Sequence, residues 1–158
     1  MRVLSVDPGY DRLGVAIIEK DGKKNETLLY SNCITTSKKL NYPERLEKIA
    51  NEVENLIKKY SPQIFASESL FFTKNQKTAI DVAGSRGMLL YIANKNNLKI
   101  FEYTPLQIKI AITGYGKSDK NQVQSMTRKL IKIDENSKLD DEYDAIAVGL
   151  TCFAIEKI

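Results

Sequence analysis

A chain of 158 residues, 42% hydrophobic and 28% charged, is long enough to bury one core and has no low-complexity tract, so a single domain over residues 1–158 is expected. It contains no histidine, which excludes zinc-protease motifs, Ser-His-Asp triads and histidine general bases together and leaves carboxylates, lysines or metal to carry any chemistry. Net charge is +4 but segregated: residues 86–132 hold nine Lys or Arg against two acids, and residues 133–158 hold two against seven, which fits either a solvated helix surface or a phosphate-binding face.

In chain order, residues 2–7 alternate, with Val3, Ser5 and Asp7 on one side and Leu4 and Val6 on the other, before Pro8-Gly9 breaks the run. That predicts a strand ending in a turn. Residues 13–18 are apolar on both faces and residues 26–36 are rich in β-formers, so two more strands follow in an antiparallel meander, joined at Asp21-Gly22. Between residues 42 and 60, Leu46, Ile49, Ala50, Val53, Leu56 and Ile57 recur at helical spacing after Pro43, which predicts an amphipathic helix. A short strand is expected over 63–68, a helix over 75–95, a strand over 98–103, and helices over 105–112, 121–133 and 141–155. The order implies an α/β fold: a mixed five-stranded sheet, antiparallel in its first three strands and parallel later, flanked by helices. No apolar run is long enough to cross a bilayer, and the N-terminus lacks a cleavage-site pattern. Cys33 and Cys152 sit far apart in apolar contexts, as small buried residues do in a reducing compartment. A cytoplasmic location is expected.

Four carboxylates stand out by position: Asp7 and Glu68 at strand ends, and Asp141 and Asp144 at the start of the last helix. Each has an ordinary explanation alone, as a turn former, an exposed strand end or a helix first-turn acid. Asp141 and Asp144, however, lie three apart on one helical face, where two negative charges repel unless a positive one sits between them. Oxygen-only ligands suit a hard divalent ion, Mg2+ or Mn2+, and a pair of such ions about 4 Å apart can hydrolyse a phosphodiester without histidine. Asp140, beside them, is expected to cap the helix.

Four segments carry a family resemblance. The opening VDPGYDRLGVAII resembles the first acidic motif of the RuvC family of Holliday-junction resolvases, and ESLFFTKNQKTAIDVAGSRGMLL its second, with Glu68 on the acid. YTPLQIKIAITGYGKSDKNQVQSM is similar to its basic segment and DDEYDAIAV to its terminal acidic helix. The resemblance implies a ribonuclease H-like core and a homodimeric endonuclease that binds four-way DNA junctions and nicks two opposed strands symmetrically. Asp7, Glu68, Asp141 and Asp144 match its catalytic, metal-binding acids, with two Mg2+ per site and Mn2+ able to substitute. A branch-migration motor complex stays open as a further partner.

By the same resemblance Lys109 and Lys120 match DNA-binding positions, and Phe71 or Phe72 stands where an aromatic stacks on a base at the crossover, Phe71 being favoured. Lys117 and Arg86 lie nearby in sequence, Lys117 on a glycine-flanked turn, Gly114-Tyr115-Gly116, that lets backbone and cation approach phosphate. A dimer contact is expected along residues 78–94, where Ile80, Val82, Ala83, Met88, Leu89, Leu90, Tyr91 and Ile92 cover more of a helix than one stripe needs, and Gly84 and Gly87 permit close approach. The alternatives are another ribonuclease H-like nuclease acting on different branched DNA or RNA/DNA hybrid, an actin-like phosphotransferase, and a non-catalytic junction-binding protein. The second would need a further phosphate loop that the residues after 120 do not supply.

Overall fold

The computed structural model describes residues 1–22, 25–69, 76–133, 139–156 and 158. Its strands are β1 (Arg2–Asp7), β2 (Arg12–Glu19), β3 (Thr27–Thr35), β4 (Ile64–Glu68) and β5 (Lys99–Tyr103). Its helices are α1 (Tyr42–Tyr60), α2 (Gln76–Lys95), α3 (Pro105–Thr113), α4 (Lys120–Leu130) and α5 (Asp140–Glu156). The sheet runs β3-β2-β1-β4-β5, antiparallel across β1–β2 and β2–β3 and parallel across β1–β4 and β4–β5. This is the mixed five-stranded α/β sheet expected from the sequence.

β1 is central and buried on both faces, so its alternation sorts two cores. Leu4 and Val6 point into a cluster with Ile17, Ile49, Val53, Phe65 and Leu89 under α1 and α2. Val3 points into another with Ala16, Ile18, Ala66, Ile146 and Phe153 under α5. Helix α1 starts on a capping box, Asn41 accepting from the Glu44 N–H and Glu44 from the Asn41 N–H, with Pro43 in its first turn.

Three details depart from the sequence expectation. Helix α4 ends at Leu130, three residues early, because Ile131 turns extended (φ −138°, ψ 140°) and buries its side chain in the α5-side core. Asp140 is the first residue of α5, not its cap, and its carboxylate accepts from Gln124 at 3.1 Å. In α2, Leu89, Ile92 and Ala93 face the chain's own core, and a Cβ on Gly84 would meet the Tyr42 hydroxyl at 2.2 Å. The outward face of α2 carries Ile80, Gly87 and Tyr91, with Ile80 and Tyr91 exposed and open space around Gly87. Cys33 and Cys152 are buried and free, as expected. Among the described residues no helix is long and apolar enough to cross a membrane.

Candidate active site

Strand register brings the first two acids together. Val6 pairs with Ser67 across the parallel β1–β4 ladder, so the next residues, Asp7 and Glu68, end neighbouring strands on the same edge. Both share the parity of Val3 and Ile64, so both emerge on the α5 face.

Helix α5 supplies the other two, and small residues let it come close. A Cβ on Gly14 of β2 would fall 1.9 Å from the Asp141 carbonyl oxygen, and one on Gly149 would fall 2.7 Å from the Ser5 hydroxyl. Backbone therefore lies on backbone at the N-terminal turn of α5, which lowers Asp141 and Asp144 to the level of Asp7.

The electrostatics record the crowding. Burial first, then the charges of Glu68, Asp144 and Asp141, push the Asp7 carboxyl up to about 7. Glu68 is raised by burial and by Asp144, with Lys109 and Lys120 opposing. Asp144 is raised mainly by burial, against the pull of Lys120. Lys120 Nζ lies 3.0 Å from Asp144 Oδ2 and 3.4 Å from Asp140 Oδ2. Burial would lower its ammonium, but these two partners hold it above its ordinary value. Asp141 is paired with the Arg12 guanidinium, and the Cys33 thiol donates to it at 3.7 Å.

Glu68, Asp144, Lys109 and Lys120 line a cleft of about 200 Å³, closed at its base by Pro105, Ile108 and Val123. The side chains do not yet enclose an ion: among the described residues no three ligating groups converge tightly enough. Arg12 draws Asp141 aside and Lys120 occupies Asp144, so two protein cations partly neutralise the acids. The donor set nevertheless fits a hard divalent ion. All four groups are carboxylates, none is a histidine, and three resist ionisation because they are buried and, behind that, because their neighbours are negative, a penalty that a bound cation offsets.

The remaining sequence candidates are divided. Lys109 and Lys120 reach the cleft, while Lys117 is exposed on the turn between α3 and α4. Arg86 does not join the acids: from α2, on the opposite side of the sheet, it forms a two-pronged ion pair with Glu102 of β5 at 2.7 and 2.6 Å. Phe71 and Phe72 lie outside the described residues. Sequence reasoning missed Arg12 and Gly14; the VDPGYDRLG segment contains both, but only the β2–α5 contact gives them a role.

A family profile described as "Crossover junction endodeoxyribonuclease RuvC" matches residues 3–152. Among similar chains, the crossover junction endodeoxyribonuclease RuvC of Thermosipho melanesiensis is 45% identical over 156 residues, covering 99% of this chain and 98% of its own length. That of Fusobacterium nucleatum is 44% identical, covering 96% and 79% respectively. Among solved structures, Thermus thermophilus RuvC in complex with Holliday junction substrate superposes with a TM-score of 0.92 at 27% identity, over 99% of this chain and 95% of that one.

Proposed function

The chain belongs to the RuvC family, and from that premise we propose that it is a single-domain, structure-selective endonuclease that binds four-way DNA junctions as a dimer and nicks two opposed strands by metal-dependent phosphodiester hydrolysis. The observation that carries the reading is the cleft in which Glu68 and Asp144, beside Asp7, face Lys109 and Lys120. Acids alone repel a polyanion; here they stand beside cations able to hold it. The Thermus relative bound to Holliday junction substrate supports the choice of a four-way junction over other branched DNA or a hybrid.

Asp7, Glu68, Asp141 and Asp144 would hold two Mg2+ ions, with Mn2+ able to substitute. When bound, these ions supply the charge that activates water and stabilises the leaving oxygen of the phosphodiester. Asp7 and Glu68 form the rigid floor, fixed by the β1–β4 ladder, and Asp144 approaches from α5. Lys109 and Lys120 hold backbone phosphates at the mouth, and Lys117 extends that contact along the turn. Phe71 is assigned the stacking role at the crossover. Arg86 is left out of the phosphate contacts because Glu102 takes its guanidinium. The dimer would join along the exposed Ile80–Gly87–Tyr91 stripe of α2 and present two identical sites to a two-fold substrate. A DNA substrate agrees with a cytoplasmic location.

A gel assay comparing a four-way junction, plain duplex and RNA/DNA hybrid tests the reading. Symmetric paired nicks in the junction alone are expected with Mg2+. Asp7→Asn, Glu68→Gln, Asp141→Asn and Asp144→Asn should each reduce nicking by more than about a hundredfold while keeping junction affinity. Cleavage of the hybrid in preference to the junction would overturn it.

A further inference from the structure

A second cleft lies beyond α4, away from the acids. Residues 113–119 connect α3 to α4, and their turn is built around one hydroxyl. Thr113 Oγ1 accepts from the Tyr115 N–H at 3.1 Å and lies 2.8 Å from the Lys109 carbonyl and 2.7 Å from the buried Ser118 hydroxyl. The Ser118 N–H closes the turn onto the Tyr115 carbonyl at 3.2 Å. Gly114 takes φ 76°, the left-handed conformation that ends α3, and a Cβ on Gly116 would fall 2.6 Å from Leu106. The turn is thus tightly constrained, yet it holds the Tyr115 ring 59% exposed. A side chain kept in place for packing would have been folded inward.

Between this turn and α4 is an open cleft of about 480 Å³, within the ~300–1,000 Å³ range of small-molecule sites. Tyr115 forms one wall, and Asn121, Ser125, Met126 and Lys129 form the other. It shares no residue with the acidic cleft, since α4 turns Lys120 and Val123 to the acids and Asn121, Ser125 and Lys129 to this side. Asp119, also at its edge, is committed to capping α4, where it accepts from the Gln122 N–H at 2.9 Å. What remains is an aromatic face, neutral hydrogen-bonding groups, a thioether and an ammonium, with Lys117 exposed on the same turn as the ring. That combination suits a nucleotide: any base can stack on the ring, amide and hydroxyl groups adapt to different base edges, and lysine takes a phosphate.

We infer that this cleft is a second nucleotide-contact site, in which Tyr115 stacks on an unpaired base of the DNA strand held at the acids and Lys129 takes an adjoining phosphate. The inference rests on the proposed junction-cleaving function and extends it. The two clefts share α4 as their partition, so a strand leaving Lys120 reaches the second cleft by passing over that helix. A base displaced from pairing near the crossover would then be captured rather than returned to its stack, which favours an opened junction over plain duplex.

The test uses an Asp7→Asn parent, so that the substrate stays uncut, and four-way junctions carrying a single 2-aminopurine at successive positions around the crossover. The parent is expected to quench one of these positions, and Tyr115→Ala to abolish that quenching with an affinity loss of about 5- to 100-fold and no change in salt dependence. Tyr115→Phe should behave as the parent. Lys129→Ala should instead lower the slope of log affinity against log salt by about one. Thermal melts by circular dichroism establish that each variant is folded, and Tyr115→Leu, which keeps bulk without an aromatic face and should lose the quenching as the alanine variant does, keeps the test decisive should the alanine variant not be folded. If the parent prefers the junction to duplex and Tyr115→Ala is indistinguishable from it, the second cleft is refuted and the nuclease reading stands. An equal loss on plain duplex would also refute the unpaired-base assignment. If the parent shows no preference for the junction, the proposed function fails and takes this inference with it.

Discussion

On the α1/α2 side of the sheet the contacts are made by large aliphatic and aromatic groups, Leu4, Ile17, Ile49, Val53, Phe65 and Leu89, and the ion pairs there, Arg45 with Asp11 and Arg86 with Glu102, leave each charge compensated. The α5 side also buries large groups, Val3, Ile18, Ile146 and Phe153, but small ones, Gly14, Ala16, Ala66, Ala145 and Gly149, are set among them, and the two glycines bring the helix close and lower its acids beside Asp7. Burial by large side chains stabilises the fold; burial by close backbone approach fixes positions to within a methyl group and crowds like charges. One sheet therefore carries a face suited to stability and a face suited to charge placement.

The sharpest way to break that contrast is to put one methyl group on the close-packed face and remove several from the other. Gly14→Ala places a Cβ against the Asp141 backbone, which cannot rotate away as a side chain could. α5 must shift, and a displacement on the order of 1 Å costs about a hundredfold in rate. Ile49→Ala should cost about 2–5 kcal/mol of stability and leave cleavage by the folded fraction unchanged. Junction nicking at a permissive temperature and denaturant melts read the two effects. If Gly14→Ala nicks normally, the close approach does not position the acids.

The next largest effect concerns assembly. Leu89 is a core residue, 1% exposed, so a charge there would unfold the chain instead of dissociating a dimer. Tyr91, 66% exposed on the same helix, is the informative position. Tyr91→Glu should sediment as a monomer at micromolar concentration, melt cooperatively at a temperature that no longer depends on protein concentration, and convert paired nicks to unpaired ones. A Tyr91→Glu variant that remains dimeric would move the interface off this stripe.

How much of this was legible in the sequence follows the range of the interactions concerned. Alternation within β1 assigned Asp7 to the face of Val3 and Ser5, and the three-residue step put Asp141 and Asp144 together, because both are local periodicities. The Arg12–Asp141 pair, by contrast, joins residues 129 apart in sequence, and no local pattern encodes it. Sequence proximity groups Arg86 with the basic segment, but the fold puts α2 and Glu102 on the other side of the sheet. Helix α4 ends short of its sequence periodicity because burial of Ile131 outweighs the helical pattern of the residues around it. Local chemistry located the acids, and long-range packing decided what stands beside them.

A smaller effect sharpens the comparison through pH. In metal-free buffer the folded chain keeps Asp7 protonated up to about pH 7, whereas an unfolded aspartate ionises near 3.8. Between those values the folded state binds a proton that the unfolded state has released, so stability falls as pH rises through this window and the full penalty applies above it. The shift bounds the penalty at about 4 kcal/mol. Asp7→Asn removes the charge, so it should be more stable than wild type at pH 8 in EDTA, by several degrees in Tm, and equal to it below pH 4. Saturating Mg2+ should narrow the gap by stabilising only the wild type. Equal melts at pH 8 in EDTA would mean that Asp7 is not under this strain.

The smallest expected effects distinguish the two cleft lysines. Lys109→Ala and Lys120→Ala each remove one proposed phosphate contact, so each should lower the slope of log affinity against log salt by about one and weaken junction binding in proportion. Here the resemblance between them ends. Lys120 also lies 3.0 Å from Asp144, whose carboxyl already sits above the ordinary range because of burial. Removing the ammonium takes away the main influence holding that carboxyl down, so Asp144 rises further, and more base is needed to ionise it. The acidic limb of the cleavage pH profile should therefore move to higher pH in Lys120→Ala. Lys109 eases only Glu68, behind burial and the opposing charge of Asp144, and a smaller displacement is expected for Lys109→Ala. Cleavage of a junction at fixed saturating substrate, from pH 5 to 9 and at several Mg2+ concentrations, separates the two roles. Equal profiles for both variants would make Lys120 a phosphate contact alone, and a shift confined to Lys109→Ala would reverse the assignment of which cation governs the acids.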